Sequence, residues 1–404
     1  MASESDQPDE LQSLAMEEKI DIEDLTLVVE RKVQHKDFTI RTHSLDYMSE
    51  RIGLDGDHAL LTITIFNTIK EVEEALSFFV KLIPKGESLA GGMQEEFSYG
   101  LFKEFEKVGI SLIHQCVPRC LLVRPSSYLV LENLQLGSYA LLDKAQLLTY
   151  EQVTAVLQSL AKLHASSLIY EETLSTSLSA NRNEDIFRDR LFSDSASLDS
   201  SLKCILTEIE LFQLPAELKG GKPAAEAIKE LLSKLTQMVE PSGKFRKVFC
   251  HGDLWAANFL LQPGNPTQCK FVNFQMCRYL PPAHDVMGLL FRNTSREFRK
   301  NHLYELVGIY YSYMEKILKI FDYKLTELIS FSDFLDSCEE QKLVAVLITA
   351  LMLPLVLSQG EKFSEGQFKE DRSHLVLDLV EDEAILSRLR ESIEDLLEEC
   401  DKVR

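Results

Sequence analysis

Cations are scarce in this chain: 43 lysines and arginines face 64 aspartates and glutamates, a formal net charge of −21 over 404 residues. A surface this acidic repels phosphate backbones and anionic head groups, which argues against nucleic-acid or membrane-surface binding by general electrostatics. Paired cysteine motifs are missing as well. The eight cysteines, at 116, 120, 204, 250, 269, 277, 338 and 400, include no CxxC pair and no histidine spacing that completes a zinc site, so they read as reduced thiols. The opening MASESDQPDELQSLAMEEKIDIED has no basic stretch followed by an apolar one, so no secretory signal is expected and a cytoplasmic location is the default. On that reading the Asn293-Thr294-Ser295 sequon has no functional weight. A long hydrophobic run is lacking too. The best candidate, Leu343 to Leu357, is interrupted by Thr349 and Pro354 and is shorter than the roughly 20 residues of a spanning helix. A buried core helix ended by its proline is expected there.

What is present, 45% hydrophobic and 26% charged residues, is the balance of a globular chain. The length is two to three times that of a domain of about 150 residues, so two lobes are expected. Residues 1–24 are acidic and polar and read as a tail, with order beginning near Leu25. From His58 to Phe66 the run HALLTITIF alternates with period two, and Leu76 to Ile83 (LSFFVKLI) is apolar on both faces apart from Lys81. After Gly91-Gly92, Phe97, Leu101, Phe105 and Val108 recur at helical spacing until Gly109, with Glu95 and Glu96 expected in the first turn. Cys120–Arg124 and Tyr128–Leu131 read as a hairpin. Residues 25–133 therefore form a small sheet carrying one helix.

Beyond position 134 the period becomes helical. Thr149 and Gln152 form a capping box, and Val153, Val156, Leu157, Leu160 and Leu163 the buried stripe of a helix running to about Leu168. Residues 180–245 are irregularly helical, and the region after Arg292 is a succession of helices. Between them lies one β island, Val248–Leu261 and Lys270–Gln275. The expected class is α+β, with a β-rich front lobe and a helical lobe over residues 134–404.

The β island contains HGDLWAANFLL, in which Asp253 and Asn258 stand five residues apart in a loop leaving a strand. A carboxylate there can accept the proton of an attacking hydroxyl, and the Asn can hold a metal ion on phosphates. Phosphoryl transfer asks the protein mainly for positioning and charge neutralisation, so few residues are needed. Lys81 fits the same chemistry: an ammonium within an apolar strand is costly to bury without an anion, which nucleotide phosphates and a helix carboxylate would supply. Glu95 is the first candidate for that carboxylate and Glu96 the second.

These residues, in this order, resemble the kinase fold and within it the ecdysteroid-kinase-like family, relatives of choline kinases and aminoglycoside phosphotransferases. The resemblance rests on FVK at Phe79–Lys81, the EEFSY helix, VLEN at Val130–Asn133, LAKLHASS at Leu160–Ser167, CHGDLWAAN at Cys250–Asn258 and VNFQ at Val272–Gln275. It implies a bilobal protein-kinase-like fold and ATP-dependent phosphorylation of a small-molecule hydroxyl with Mg²⁺, ecdysteroids being the name-giving substrates. A steroid or other lipophilic alcohol is thus the implied acceptor. It places Asp253 as catalytic base and Lys81, Glu95 and the hinge residue Glu132 at the nucleotide. It also assigns metal contacts to Asn258 and position 273.

Two departures stand out. The family's hinge Asp is Asn133 here. More consequentially, the Asp of its DFQ motif is Asn273, and an amide offers one neutral oxygen where a carboxylate is anionic. The glycine loop is thin, with only Gly53 and Gly56 in GLDGD. A pseudokinase that keeps the fold is therefore the alternative.

Some residues near the motif have plainer readings. His251 is expected to shape the loop by hydrogen bonding, and His164 to be a satisfied core histidine. Trp255 either lines a substrate pocket or anchors the loop by packing. Asp285, at the head of a helical run, is favoured there by the helix dipole and could replace part of the missing metal charge.

Overall fold

The computed structural model describes residues 20–48, 57–83, 89–143, 145–179, 185–189, 192, 195–219, 221–240, 243–264, 267–358, 372–379 and 381–402. Strands β1 (Phe38–Tyr47), β2 (His58–Asn67), β3 (Val72–Leu82), β4 (Cys120–Arg124) and β5 (Tyr128–Glu132) form one antiparallel sheet in the order β1-β2-β3-β5-β4. The alternating run in β2 pairs with β3 in unbroken register from His58↔Lys81 to Asn67↔Val72. One face of the sheet packs on helix α1 (Ile22–Val33): Leu25, Val28 and Val29 meet Leu61, Ile63, Phe78 and Val80 in a core of their own. The other face receives helix α2 (Leu89–Lys107).

Three features depart from the sequence reading. Helix α1 starts at Ile22, capped by the Asp21 side chain on the Asp24 amide, ahead of the expected onset of order. Strand β1 is absent from that reading because it lies at the sheet edge and is mostly exposed, leaving little hydrophobic alternation. Helix α2 begins at Leu89, so its first turn carries no acid and Glu95 sits in the second turn. The dipole argument for an acidic first turn does not apply to Glu95.

The helical part is organised around α3 (Tyr150–Leu174), buried along most of its length and started by the Thr149–Gln152 capping box. It continues past Leu168 to a left-handed Ser175, with Ile169 and Glu171 still buried. Helices α4 (Ser195–Leu211), α5 (Ala224–Met238), α6 (Ala283–Asn293), α7 (Arg296–Ile320), α8 (Leu325–Leu328), α9 (Phe331–Leu357), α10 (Ser373–Asp378) and α11 (Glu383–Lys402) complete it. Helix α9 is long and apolar enough to cross a membrane, yet 78% of its most apolar window is buried against its neighbours. It runs through Pro354 into a last turn, where the Ser358 amide still reaches the Pro354 carbonyl at 3.0 Å.

The β island resolves into short pairs. β7 (Val248–Cys250) pairs with β10 (Arg278–Leu280), while β8 (Phe259–Gln262) lies between β6 (Ala140–Leu141) and β9 (Gln268–Phe271). All eight cysteines are free thiols.

Candidate active site

Lys81 stands near the end of β3, flanked by His58 of β2 and Leu129 of β5. Because side chains alternate along a strand, Phe78 and Val80 enter the core under α1 while Phe79 and Lys81 face the other way. Helix α2 closes on that face. Its approach requires Gly92, where a Cβ would come within 2.6 Å of the Ile83 side chain. Glu95, less than one turn further on, then meets Lys81: its Oε2 lies 2.6 Å from Nζ, and both side chains are buried. Glu96 does something different and accepts a hydrogen bond from the Ser126 amide in the β4–β5 turn.

The Lys81 ammonium also donates to Asn273 Oδ1 at 2.9 Å, across a sequence separation of 192 residues. Asn273 Nδ2 donates to Asn258 Oδ1 at 2.9 Å, and Asn258 Nδ2 donates both to the Asp253 carbonyl and to Asp253 Oδ2 at 2.7 Å. The two ends fix the direction of this chain. Lysine can only donate and an ionised aspartate can only accept, so neither amide can be turned over without facing like against like. Lys81, Asn273, Asn258 and Asp253 are thereby brought together in one line between the sheet and the helical part, as the motif order implies.

The same line bears on metal binding. An asparagine ligates a cation through its oxygen, and here both amide oxygens already accept a hydrogen bond, Asn258 from Asn273 and Asn273 from Lys81. That leaves the Asp253 carboxylate as the anionic donor of the set, whereas Mg²⁺ prefers one or two carboxylates with phosphates and water. Each amide oxygen keeps a second lone pair, so what does not fit Mg²⁺ as the family pattern requires is the charge, one carboxylate in place of two, which an aspartate at 273 would restore. Asn273 has φ 62°, a left-handed conformation that Asn and Asp tolerate better than most residues.

Behind Asp253 the loop is tied down from several sides. Asp285, in the first turn of α6, accepts from the His251 amide at 2.6 Å, from the Gly252 amide at 2.9 Å and from His164 Nε2 at 3.1 Å. Burial alone would raise this carboxyl, but the hydrogen bond and charge of His164 and the nearby His284 and His251 hold it down at about 2. With its oxygens so engaged, Asp285 is a loop anchor and does not replace the metal charge missing at 273. His251 donates from Nε2 to the Val272 carbonyl and accepts the Asp253 amide at Nδ1, while burial pushes its pKa below the usual value. His164 is fully buried between Asp285 and the Tyr310 hydroxyl. Gly252 is irreplaceable in this turn: φ is 82°, and a Cβ would sit 2.0 Å from the Met276 carbonyl oxygen.

Trp255 is buried, with the Arg292 guanidinium 5.3 Å from its ring centroid. Arg292 and Asn293 are site neighbours the sequence did not flag. Asn293 Nδ2 donates to the Leu254 carbonyl at 2.8 Å, so the residue discounted as a sequon is buried beneath the loop. No local pattern marks either one; both follow from α6 ending under the loop. At the hinge, Glu132 accepts from Lys270, and its amide donates to the Arg119 carbonyl at 2.9 Å. Asn133 donates to Ser77 Oγ and caps the turn Leu134–Gly137. Gly53 and Gly56 lie outside the described residues.

A lysine on a middle strand of a small antiparallel sheet, answered by a helix glutamate and facing a loop from a helical part, is the arrangement of the protein-kinase-like fold, and the order of elements agrees. Within that fold the chain belongs to the ecdysteroid kinase-like family, whose model matches residues 66–323, a span that holds every site residue from Lys81 to Asn293. Among solved structures, an ethanolamine kinase of Plasmodium vivax is similar at 11% identity and TM-score 0.38, covering 99% of this chain and 97% of its own. The choline kinase of Streptococcus pneumoniae is similar at 13% identity and TM-score 0.41, over 92% and 98%. A microcompartment-associated aminopropanol kinase follows at 11% identity and TM-score 0.41, over 92% and 98%. No curated protein matches the chain in sequence.

Proposed function

We propose that this protein is an ATP-dependent phosphotransferase that phosphorylates a hydroxyl of a small molecule, with nucleotide bound between the β-rich residues 25–133 and the helical residues 134–404. The observation that carries the reading is the line from Lys81 through Asn273 and Asn258 to Asp253, which ties a buried ammonium to a loop carboxylate across the two parts. In this reading Lys81, steadied by Glu95, faces the nucleotide phosphates, and the strand end at Glu132 borders the base. Asn258 holds Oδ2 of Asp253 and leaves Oδ1 to take the acceptor's proton. The acceptor O–H bond breaks as the new O–P bond forms, and the electron pair of the breaking P–O bond stays with ADP. Mg²⁺ bound with the nucleotide would supply charge neutralisation on its phosphates. A lipophilic alcohol such as a steroid is the acceptor the family name suggests, in a protein acting in the cytoplasm without nucleic acid or membrane.

The experiment is ATP turnover against a panel of neutral, cationic and anionic alcohols, with wild type and Asp253→Asn. Removing a general base lowers turnover about 100-fold or more. Equal turnover in both proteins would overturn the role of Asp253. A second reading, nucleotide binding without catalysis, is favoured by one observation: the neutral Asn273 amide, bonded to Lys81 and Asn258, stands where a metal-binding carboxylate would be expected. It predicts ATP binding without turnover in wild type and a gain of turnover in Asn273→Asp.

A further inference from the structure

A cavity of about 360 Å³ lies further along α2 from the Lys81–Glu95 pair, walled by the end of α1, the second half of α2 and the segment leading into β4. Its size is within the range of small-ligand sites. Its charge is opposite to that of the protein. Arg31, Lys103, Lys107 and Arg119 line it against the single carboxylate of Glu106, on a chain of net charge −21. Lys107 is paired with Glu104, and Arg31 donates to the Leu121 carbonyl. Lys103 and Arg119, both half-buried, have no ion-pair partner among the described residues.

The floor is apolar and holds a second feature. Tyr99 is 1% exposed, and its hydroxyl is buried with no hydrogen-bond partner. A buried hydroxyl without a partner is destabilising, and most buried polar side-chain atoms have one. Burial and the neighbouring Glu95 keep the phenol protonated, hence a donor. Two cations without an ion-pair partner among the described residues, over Phe102, Val117 and Leu121, match an anionic head on an apolar body, while the Tyr99 hydroxyl lies beneath this lining, closed to solvent.

We infer that this cavity is a binding site for a small organic anion, a phosphate ester or carboxylate with an apolar body, distinct from the nucleotide site. The walls link it to that site. Tyr99 and Phe102 pack edge-on against Phe274, the residue after Asn273, at 5.9 and 5.0 Å between ring centroids. The Arg119 carbonyl receives the Glu132 amide. An occupant therefore touches the helix that carries Glu95 and the strand end at the hinge, and nucleotide affinity responds to it.

The test uses the full-length protein and phenyl phosphate as probe, with inorganic phosphate and phenol as the two halves of its chemistry, followed by calorimetric titration with and without saturating ATP. The site predicts phenyl phosphate binding that persists under ATP and exceeds that of either half. It also predicts binding weakened about tenfold or more in Lys103→Glu/Arg119→Glu. By linkage, ATP affinity shifts with phenyl phosphate by the same factor as the reverse. Binding abolished by ATP, or untouched by the charge reversal, would overturn the inference. The ATP-free titration decides the site itself even if ATP does not bind, so failure of the proposed function and failure of this site are told apart.

Discussion

On the β-rich side of the candidate active site, Lys81 is held by one ion pair to Glu95 and one hydrogen bond to Asn273, whereas on the helical side Asp253 stands on a loop whose backbone is tied by Asp285, His251 and Asn293. The first wall depends on one buried charge pair between residues close in sequence and one hydrogen bond across 192 residues. The second depends on satisfying buried backbone groups at a sharp turn, which requires several partners, Asp285 and Asn293 among them from 33 to 39 residues away, and one glycine. The difference teaches where a substitution should register: damage behind Asp253 is expected to unfold, and damage at Lys81 to loosen the fold and, on the proposed function, to weaken nucleotide binding.

The largest expected effect is Gly252→Ala. A methyl group there meets the Met276 carbonyl oxygen in a left-handed turn, and a cost of roughly 4 kcal/mol or more is expected in denaturant unfolding, at the upper end for single substitutions. Unchanged stability would mean the loop is looser than its contacts indicate. Next is Lys81→Met, which strands the buried Glu95 carboxylate at a cost of about 3 kcal/mol. Adding Glu95→Gln should recover part of that stability while ATP-induced thermal stabilisation stays lost. Recovery of both would separate the pair from nucleotide binding.

A smaller effect distinguishes the second wall by pH. The Asp285 carboxyl is held at about 2 in the folded protein against an ordinary 3.8, so its contribution to stability is complete above the unfolded value and fades as pH falls through the folded one. The stability gap between wild type and Asp285→Asn should therefore shrink by about 2 kcal/mol as pH is lowered from about 5 to about 2. A gap constant with pH would mean that the carboxylate charge contributes nothing to holding the loop.

Much of this arrangement was legible in the residues. Period-two alternation marks β2 and β3, and the HGDLW loop with Asn258 marks the helical wall, because both signals are local. Strand β1 left no signal since an exposed edge strand has no hydrophobic face to write. The turn of α2 on which Glu95 sits was misread because Gly91 and Gly92 look like a helix boundary, when Gly92 is instead the point where the helix presses on Ile83. Arg292 and Asn293 could not be read at all, because their place under Trp255 and Leu254 is decided by where α6 docks. The consequence of Asn273 was half legible: sequence shows the lost charge, but only the geometry shows that its amide engages Asn258.

That engagement is tested most directly by measuring ATP affinity with and without Mg²⁺ in wild type and in Asn273→Asp. Wild type should bind ATP with little dependence on Mg²⁺, whereas the restored carboxylate should make binding about tenfold or more tighter when Mg²⁺ is present. Equal magnesium dependence in the two proteins, or no ATP binding by either, would contradict the account.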